Sequence, residues 1–174
     1  MKYSDFEIRH STLADVDIIV ELAISTFRET YYPLCDHSGV EDYIANNFTS
    51  TQIRRQLSDN GSTVLISQKR NEPVGYAHLR SVPAPAFIPG AKPLELSRFY
   101  LKACSIGIGY GSLFMEAVIE EALRLSCDSI WLGVYSENKR AVGFYEAKGF
   151  VEVGRREFEF GGRIYDDPLM ARMI

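Results

Sequence analysis

A loop with three glycines at alternate positions, Gly107, Gly109 and Gly111, precedes an apolar pattern with helical spacing in the stretch SIGIGYGSLF. Glycine lacks a Cβ and adopts positive φ readily, so successive backbone N–H groups can point into one concave surface. The first turn of a following helix adds N–H groups that have no partner within the helix. Such a loop can bind phosphate without lysine or arginine, although glycines before a helix also serve close packing.

Two other nucleotide-binding patterns fit this loop less well. A P-loop would end in Gly-Lys-Ser/Thr, and no such ending follows the glycines. In the dinucleotide pattern GxGxxG, Gly107 and Gly109 match the first two glycines, whereas the third position falls on Ser112. A nucleotide-linked oxidoreductase is therefore kept as an alternative.

A second group of residues lies in the stretch ENKRAVGFYEAKGF, residues 137–150. Its spacing predicts a helix that ends at Gly149, with Asn138, Ala141 and Tyr145 on one narrow arc. The helix and the glycine loop follow neighbouring predicted strands at their carboxyl ends. We therefore expect both groups to face one cleft.

Strands and helices alternate along the chain so that they could position these two groups. The predicted strands cover residues 6–9, 62–67, 74–81, 94–101, 129–135, 150–160 and 164–174, the last two as a hairpin around Gly161 and Gly162. Helices are predicted after residue 12, over about 110–125 and over 138–148, with two short helical stretches within 31–60. Residues 94–135 predict a parallel crossover surrounded by antiparallel strands, and thus a mixed α/β domain.

The helix over residues 110–125 has two chemically distinct faces. The apolar arc contains Phe114, Met115, Val118, Ile119, Ala122 and Leu125. The opposite arc contains Glu116, Glu120, Glu121 and Arg124. This division is typical of an amphipathic helix.

The composition is that of one ordinary globular domain over residues 1–174, with 46% hydrophobic residues. A formal charge of -4 disfavours a nucleic-acid partner. We expect a cytoplasmic protein, because the sequence shows neither a signal segment nor an apolar stretch of the roughly 20 residues that a membrane span needs. Cys35, Cys104 and Cys127 lack the spacing of a metal site or a disulfide framework.

Three motifs taken together resemble the GNAT superfamily of acetyl-CoA-dependent N-acetyltransferases. They are ELSRFYL at residues 95–101, the glycine loop that opens a helix, and the pattern N-x-x-A-x-x-F-Y-x-x-x-G-F from residue 138. The stretches STFRETYYPL, DYIANNFTSTQIRRQL and SIWLGVYSENKRAVGFYEAKGF are similar to polyamine (spermidine/spermine) N-acetyltransferases of the PaiA type. The resemblance implies one GNAT domain, with a mostly antiparallel sheet, a central splayed parallel strand pair, flanking helices and an acceptor-side lobe over 31–60.

The resemblance also implies a binding site for acetyl-CoA. The residues that would cradle the pyrophosphate of the coenzyme are Ile106, Gly107, Ile108, Gly109, Tyr110, Gly111 and Ser112. The pantetheine arm would lie against Phe99, Tyr100 and Leu101, where a backbone N–H would polarise the acetyl carbonyl. Asn138 would contact the coenzyme or cap its own helix. Ile106 replaces the usual Gln or Arg, which removes a polar side chain.

Direct acetyl transfer to an amine in a ternary complex needs an unprotonated amine, a stabilised oxyanion and a proton for the departing thiolate. The resemblance gives Tyr145 as the proton donor, because a phenol with a pKa near 10 is protonated at neutral pH. Glu95 matches the acid of the family pattern and is the candidate general base, with an ion pair to Arg98 or to a neighbouring strand as its alternative role. Strand alternation places Glu95, Ser97 and Phe99 on one face.

For the acceptor, the resemblance favours a polyamine or a related small primary amine. Glu29 and Asp36, in an acidic cluster with Glu41 and Asp42, could attract such a cation or simply solvate helix faces. A protein N-terminus or a lysine stays open as the acceptor, because the fold does not fix the substrate. A catalytically weak module that senses acetyl-CoA is a further alternative, and a homodimer is common in the family.

Overall fold

The computed structural model describes residues 5–174, which form one sheet with helices on both of its faces. The strands are β1 (Phe6–His10), β2 (Ser62–Lys69), β3 (Glu72–Arg80), β4 (Pro93–Leu101), β5 (Ser129–Gly133), β6 (Val151–Phe160) and β7 (Arg163–Met173). The helices are α1 (Val16–Tyr31), α2 (His37–Asn47), α3 (Ser50–Ser58), α4 (Tyr110–Arg124) and α5 (Lys139–Ala147). None of these helices is long and apolar enough to span a bilayer.

The sheet has the strand order β1-β2-β3-β4-β5-β7-β6, and β4 and β5 are its parallel pair. The other neighbouring strands pair antiparallel. The parallel pairing covers three residue pairs and ends at Glu95 and Trp131, whereas β4 stays paired with β3 as far as Leu101. The predicted fold class, a mostly antiparallel sheet with a central splayed parallel pair, is therefore confirmed.

A β-bulge in β4 changes which side chains face each side of the sheet. Leu96 pairs with Leu79 and Arg98 pairs with His78, so Ser97 is an extra residue opposite β3. As a result, Leu96 and Phe99 enter the same apolar cluster. The expectation that Glu95, Ser97 and Phe99 share one face is wrong, because the bulge shifts the alternation by one residue.

Two apolar clusters lie on opposite faces of the sheet. Leu65 of β2 packs in the cluster that contains Phe114 of α4. Its chain neighbours Val64 and Ile66 pack instead with α1, in the cluster that contains Phe27. Because successive strand residues point to opposite faces, α4 and α5 cover one face while α1, α2 and α3 cover the other.

Glu121 of α4 is buried, with 5% of its surface exposed. Its carboxylate accepts hydrogen bonds from Arg124 Nε at 2.7 Å and Nη2 at 2.6 Å, and it lies 3.1 Å from His10 Nε2. The hydrogen bonds from Arg124 hold the pKa of Glu121 below its usual value. Glu121 is therefore buried although it lies on the charged arc of α4, because its ion pair with Arg124 compensates the burial.

The segment 31–60 contains the two predicted short helices, α2 and α3. Thr49 and Gln52 form a capping box at the start of α3. Val40, Ile44 and Ile53 are buried and anchor both helices beneath α1 and the sheet. The segment is thus fixed against the face of the sheet that α1 covers.

Candidate active site

A cavity of about 350 Å³ opens where β4 and β5 separate. Its wall comes from β4, the glycine loop, the first turn of α4, the end of β5 and the inner side of α5. Ten of the predicted site residues line it: Phe99, Tyr100, Leu101, Ile106, Gly107, Gly109, Gly111, Ser112, Asn138 and Tyr145. The structure therefore brings both sequence motifs to one cavity.

The glycine loop has the backbone geometry of an anion-binding cradle. Gly107 and Gly109 have φ values of 81° and 97°, a region that favours glycine. Gly109 is the N-cap of α4 and supplies no side chain to the first turn. A Cβ on Gly107 would meet nothing within 4 Å, so the space beside the loop is open. These features fit a pyrophosphate held by backbone N–H groups and the helix dipole.

The structure limits what three of the predicted coenzyme-binding residues can contribute to the coenzyme site. The N–H of Ile106 donates to the carbonyl of Ala103 at 3.2 Å and is therefore already bonded. Ile108 is 45% exposed and lies outside the cavity lining. The Tyr110 ring is buried and stacks on Phe6 with centroids 4.3 Å apart. Ile108 and Tyr110 can therefore contribute backbone groups but not side chains.

Two predicted site residues, the N-cap of α5 and a tyrosine on its inner side, sit in the cavity wall with defined surroundings. Asn138 Oδ1 accepts a hydrogen bond from the Ala141 N–H at 3.2 Å, so Asn138 caps α5 while it lines the cavity. Tyr145 is 8% exposed and packs against Phe150, with ring centroids 5.7 Å apart. Burial raises the pKa of Tyr145 well above its usual value, which keeps the phenol protonated at neutral pH.

A second cavity, of about 310 Å³, adjoins the first. Its wall combines aromatic residues of α1, α2 and β6 with polar residues of β3, β4 and β6. Seven residues line both cavities: Tyr31, Leu96, Ser97, Arg98, Tyr100, Gly133 and Tyr135. The two cavities therefore share a wall at the split between β4 and β5.

Glu95 lines the second cavity and not the first. It is 8% exposed, and its Oε2 lies 3.2 Å from Nη1 of Arg80 on the neighbouring strand. Burial raises its pKa above the usual value, while the positive charges of Arg80, Arg156 and Arg98 partly offset this effect. Glu95 thus forms the expected ion pair, with Arg80, and also faces the cavity beside the cleft.

Residues 19–150 match the sequence profile of the acetyltransferase (GNAT) family. The chain belongs to this family. It is therefore a GNAT N-acetyltransferase with acetyl-CoA as its cosubstrate. The oxidoreductase alternative suggested by the GxGxxG-like spacing is wrong.

Similar proteins include an uncharacterized N-acetyltransferase of Mycobacterium tuberculosis, which is 29% identical over 163 residues, 93% of this chain and 99% of that protein. The crystal structure of PaiA N-acetyltransferase from Thermoplasma acidophilum in complex with coenzyme A has a TM-score of 0.78 at 19% identity, covering 97% of this chain and 99% of that one. A mutant of the spermidine N-acetyltransferase SpeG from Vibrio cholerae has a TM-score of 0.69 at 20% identity, covering 98% of this chain and 94% of that one. These similar structures establish the GNAT fold.

The structure does not bring Glu29 and Asp36 to either cavity of this GNAT domain. Glu29 Oε2 accepts a hydrogen bond from the Ala103 N–H at 2.7 Å. Asp36 is the N-cap of α2 and accepts from the N–H groups of Ser38 and Gly39. Both carboxylates thus accept hydrogen bonds from backbone N–H groups and lie outside the two cavities.

Besides Glu95, four charged residues line the second cavity that the sequence did not predict as site residues. Arg80, Arg98 and Arg156 come from β3, β4 and β6, and Asp167 comes from β7. Their only signal in the sequence is that each is a charged residue within a predicted strand or close to its end. Their convergence depends on strand order and on the bulge at Ser97, which no short motif encodes.

Proposed function

We propose that the protein transfers the acetyl group directly from acetyl-CoA to the primary amine of a small molecule held in the second cavity. The observation that carries this proposal is the wall that the two cavities share, to which Ser97, Gly133 and Tyr135 contribute. An amine nitrogen at this wall can reach the first cavity without an acetylated enzyme residue. Bringing two reactants together in this way supplies a large part of the rate enhancement.

The first cavity is the proposed coenzyme site. Backbone N–H groups of the glycine loop and of the first turn of α4 would hold the pyrophosphate, and Asn138 would contact the coenzyme beside α5. Beyond Glu95, the edge of β4 that faces β5 has no strand partner within residues 5–174. Its N–H groups near Phe99, Tyr100 and Leu101 are therefore candidates to orient the pantetheine arm and to polarise the acetyl carbonyl.

Tyr145 and Glu95 would perform the two proton transfers from opposite sides of the shared wall. Tyr145 lines the first cavity and is protonated at neutral pH, so it can donate a proton to the departing sulfur. Glu95 lines the second cavity, and its raised pKa makes it a better base toward an amine proton than an exposed carboxylate. The acetyl thioester itself is supplied by the coenzyme.

A polyamine acceptor, predicted from the sequence, is a second candidate. The fold shared with the V. cholerae spermidine N-acetyltransferase supports it. Against it, Glu29 and Asp36 lie outside the cavities and three arginines line the second one. Transfer of the acetyl group to a protein N-terminus or to a lysine side chain is a further candidate. The cytoplasmic location and the homodimer stay predictions from the sequence.

The test is the release of thiol from acetyl-CoA by the purified protein in the presence of primary amines. The panel contains spermidine, spermine, diamines, amino acids and a short peptide, and Tyr145→Phe serves as the control variant. We expect turnover with at least one class of amine and its loss in the variant. Coenzyme binding without amine-dependent turnover would contradict the proposal.

A further inference from the structure

The second cavity contains more guanidinium groups than carboxylates. Arg80, Arg98 and Arg156 line it, together with the acids Glu95 and Asp167. Arg80 is paired with Glu95 at 3.2 Å. No ion pair within residues 5–174 involves Arg98 or Arg156. Two guanidinium groups therefore face the cavity without a carboxylate partner from the described chain.

Arg98 is held in place by neutral groups. Its Nη1 donates a hydrogen bond to Gln56 Oε1 at 3.0 Å, and its guanidinium lies 4.8 Å from the ring centroid of Phe48. These contacts orient the side chain but include no carboxylate within ion-pair distance. A guanidinium carries five N–H donors in a planar fork, so donors remain for a second partner.

Arg156 reaches the cavity across the end of β5. A Cβ on Gly133 would lie 2.7 Å from Arg156 Nη2, so the absence of a side chain at position 133 makes room for the guanidinium. Gly133 lines both cavities. Arg156 is therefore placed beside the shared wall, close to the position where the acceptor nitrogen must react.

The two acids of the cavity do not make it attractive to a polycation. Glu95 Oε2 lies in an ion pair with Arg80 at 3.2 Å, although it accepts no hydrogen bond, and Asp167 Oδ1 accepts a hydrogen bond from the Ser136 N–H at 2.9 Å. Burial raises the pKa of both groups. A polyamine would bring several positive charges toward three arginines and would offer no acceptor for their N–H groups.

The remaining wall of the second cavity is aromatic. Its ring-bearing residues on α1, on and next to α2, and on β6 are Phe27, Tyr31, Tyr43, Phe48, Phe158 and Phe160. Such a wall packs against the apolar part of a ligand. The cavity thus offers two kinds of contact, an aromatic surface and a cationic edge at the reacting end.

We propose that the acceptor is a primary amine that also carries a carboxylate, namely an amino acid with an apolar or aromatic side chain. Arg98 and Arg156 bind the carboxylate through charge-assisted hydrogen bonds, and the aromatic wall takes the side chain. This orientation leaves the amine at the shared wall beside Glu95. The inference rests on the proposed function, because it assumes that the second cavity holds the acceptor.

The test compares kcat/KM for pairs of amines that differ only by the carboxylate. The pairs are phenylalanine and phenethylamine, leucine and isoamylamine, and lysine and cadaverine, with spermidine added as a polycation. Rates are compared at equal concentrations of unprotonated amine, since the members of each pair differ in amine pKa. We expect the carboxylate member of at least one pair to be preferred by roughly tenfold or more, as charge-assisted hydrogen bonds allow.

Two variants assign the preference to the arginines. Arg98→Gln and Arg156→Gln should lower kcat/KM for the preferred amino acid about tenfold more than kcat/KM for its decarboxylated amine, because any change at Glu95 or at the shared wall affects both substrates. Retained turnover of the decarboxylated amine also shows that each variant is folded. Arg55→Gln, on the exposed side of α3 and outside both cavities, is the matched control.

The inference is overturned if spermidine or the decarboxylated amines react as well as the amino acids, or if neither variant reduces the preference. In those cases amine-dependent thiol release still occurs and the proposed function stands. If no amine of any charge promotes thiol release, the proposed function fails and this inference fails with it. The two failures are therefore distinguishable in one set of assays.

Discussion

The guanidinium of Arg156 occupies the space into which a side chain at Gly133 would project, with Nη2 2.7 Å from the position of a Cβ. Because the clash involves the end of a flexible side chain and not the backbone, Gly133→Ala should displace Arg156 and leave the fold intact. We expect KM for the acceptor to rise by roughly tenfold, the value of a lost charge-assisted hydrogen bond. Steady-state kinetics with acceptor and acetyl-CoA varied separately will measure it.

The control for this substitution is Gly143→Ala on α5. Gly143 is exposed, and a Cβ there would meet nothing within 4 Å. Alanine should stabilise the helix by roughly 0.5–1 kcal/mol and leave both KM values unchanged. An unchanged acceptor KM in Gly133→Ala as well would contradict the placement of Arg156 at the acceptor.

The parts of the site that lie close together in sequence could be predicted from it. The glycine loop opens a helix because Gly107 and Gly109 need positive φ, and Asn138 and Tyr145 share one side of α5 because of helical periodicity. Both signals are local in the chain. The strands and helices followed from similarly local patterns. The continuous apolar run SIWLGVY at residues 129–135, for example, predicts a strand buried on both faces.

The parts that depend on tertiary pairing could not be predicted. The bulge at Ser97 exists only in relation to β3, and it reverses the faces expected for Phe99. Glu121 is buried because Arg124 compensates its charge, and a helical wheel does not include its neighbour His10 on β1, 3.1 Å away. The convergence of Arg98 and Arg156 likewise requires the order of strands in the sheet.

Tyr145→Phe removes the phenolic hydroxyl and keeps the ring, so it tests the hydroxyl separately from the packing of the ring. The ring packs against Phe150 and Phe99, and phenylalanine keeps this packing. We expect kcat to fall by roughly 10²–10⁴-fold, the usual value of general acid catalysis. The dissociation constant of coenzyme A, measured by calorimetry, should stay within about twofold of the unmodified protein. Full turnover in the variant would exclude Tyr145 as the proton donor.

Glu95→Gln tests the general base through the pH dependence of kcat/KM. In the unmodified protein, burial raises the pKa of Glu95 above its usual value, so the base is lost when the pH falls through that raised value. We expect kcat/KM to rise with pH through this inflection and then through deprotonation of the amine. The variant should lack the lower inflection and keep its affinity for coenzyme A. A profile of unchanged shape would instead assign Glu95 to its ion pair with Arg80.

Asp15 provides a test of stability away from the site. Its carboxylate accepts from Arg9 at 2.7 Å and 2.9 Å and from the Thr12 N–H at 2.8 Å. Hydrogen bonding to Arg9 lowers its pKa from 3.8 to about 2. Because the folded-state pKa is depressed, the stabilisation is present above about pH 4 and is lost as the pH falls toward 2.

We therefore expect Asp15→Asn to lower the free energy of unfolding at pH 7 by about 1–2 kcal/mol, less than the full pKa shift implies because Arg9 is partly exposed and screened. Denaturant melts at several pH values should show this difference shrinking with acidity. Asp17→Asn, at an exposed position in the first turn of α1, is the control and should have a smaller effect at every pH. A difference that persists below pH 2 would point to packing and not to charge.

Gly107→Ala tests the cradle directly. The φ of 81° makes alanine strained by roughly 1–2 kcal/mol in the observed conformation, and the methyl group would project into the open space beside the loop. Gly162→Ala is a closely matched control, because Gly162 has a φ of 72° and equally open surroundings in the hairpin between β6 and β7. If the loop binds the pyrophosphate, both variants should lose similar stability in thermal melts, but only Gly107→Ala should raise KM for acetyl-CoA. If KM for acetyl-CoA is the same in the two variants, alanine at position 107 acts only through backbone strain and not through its position beside the cavity.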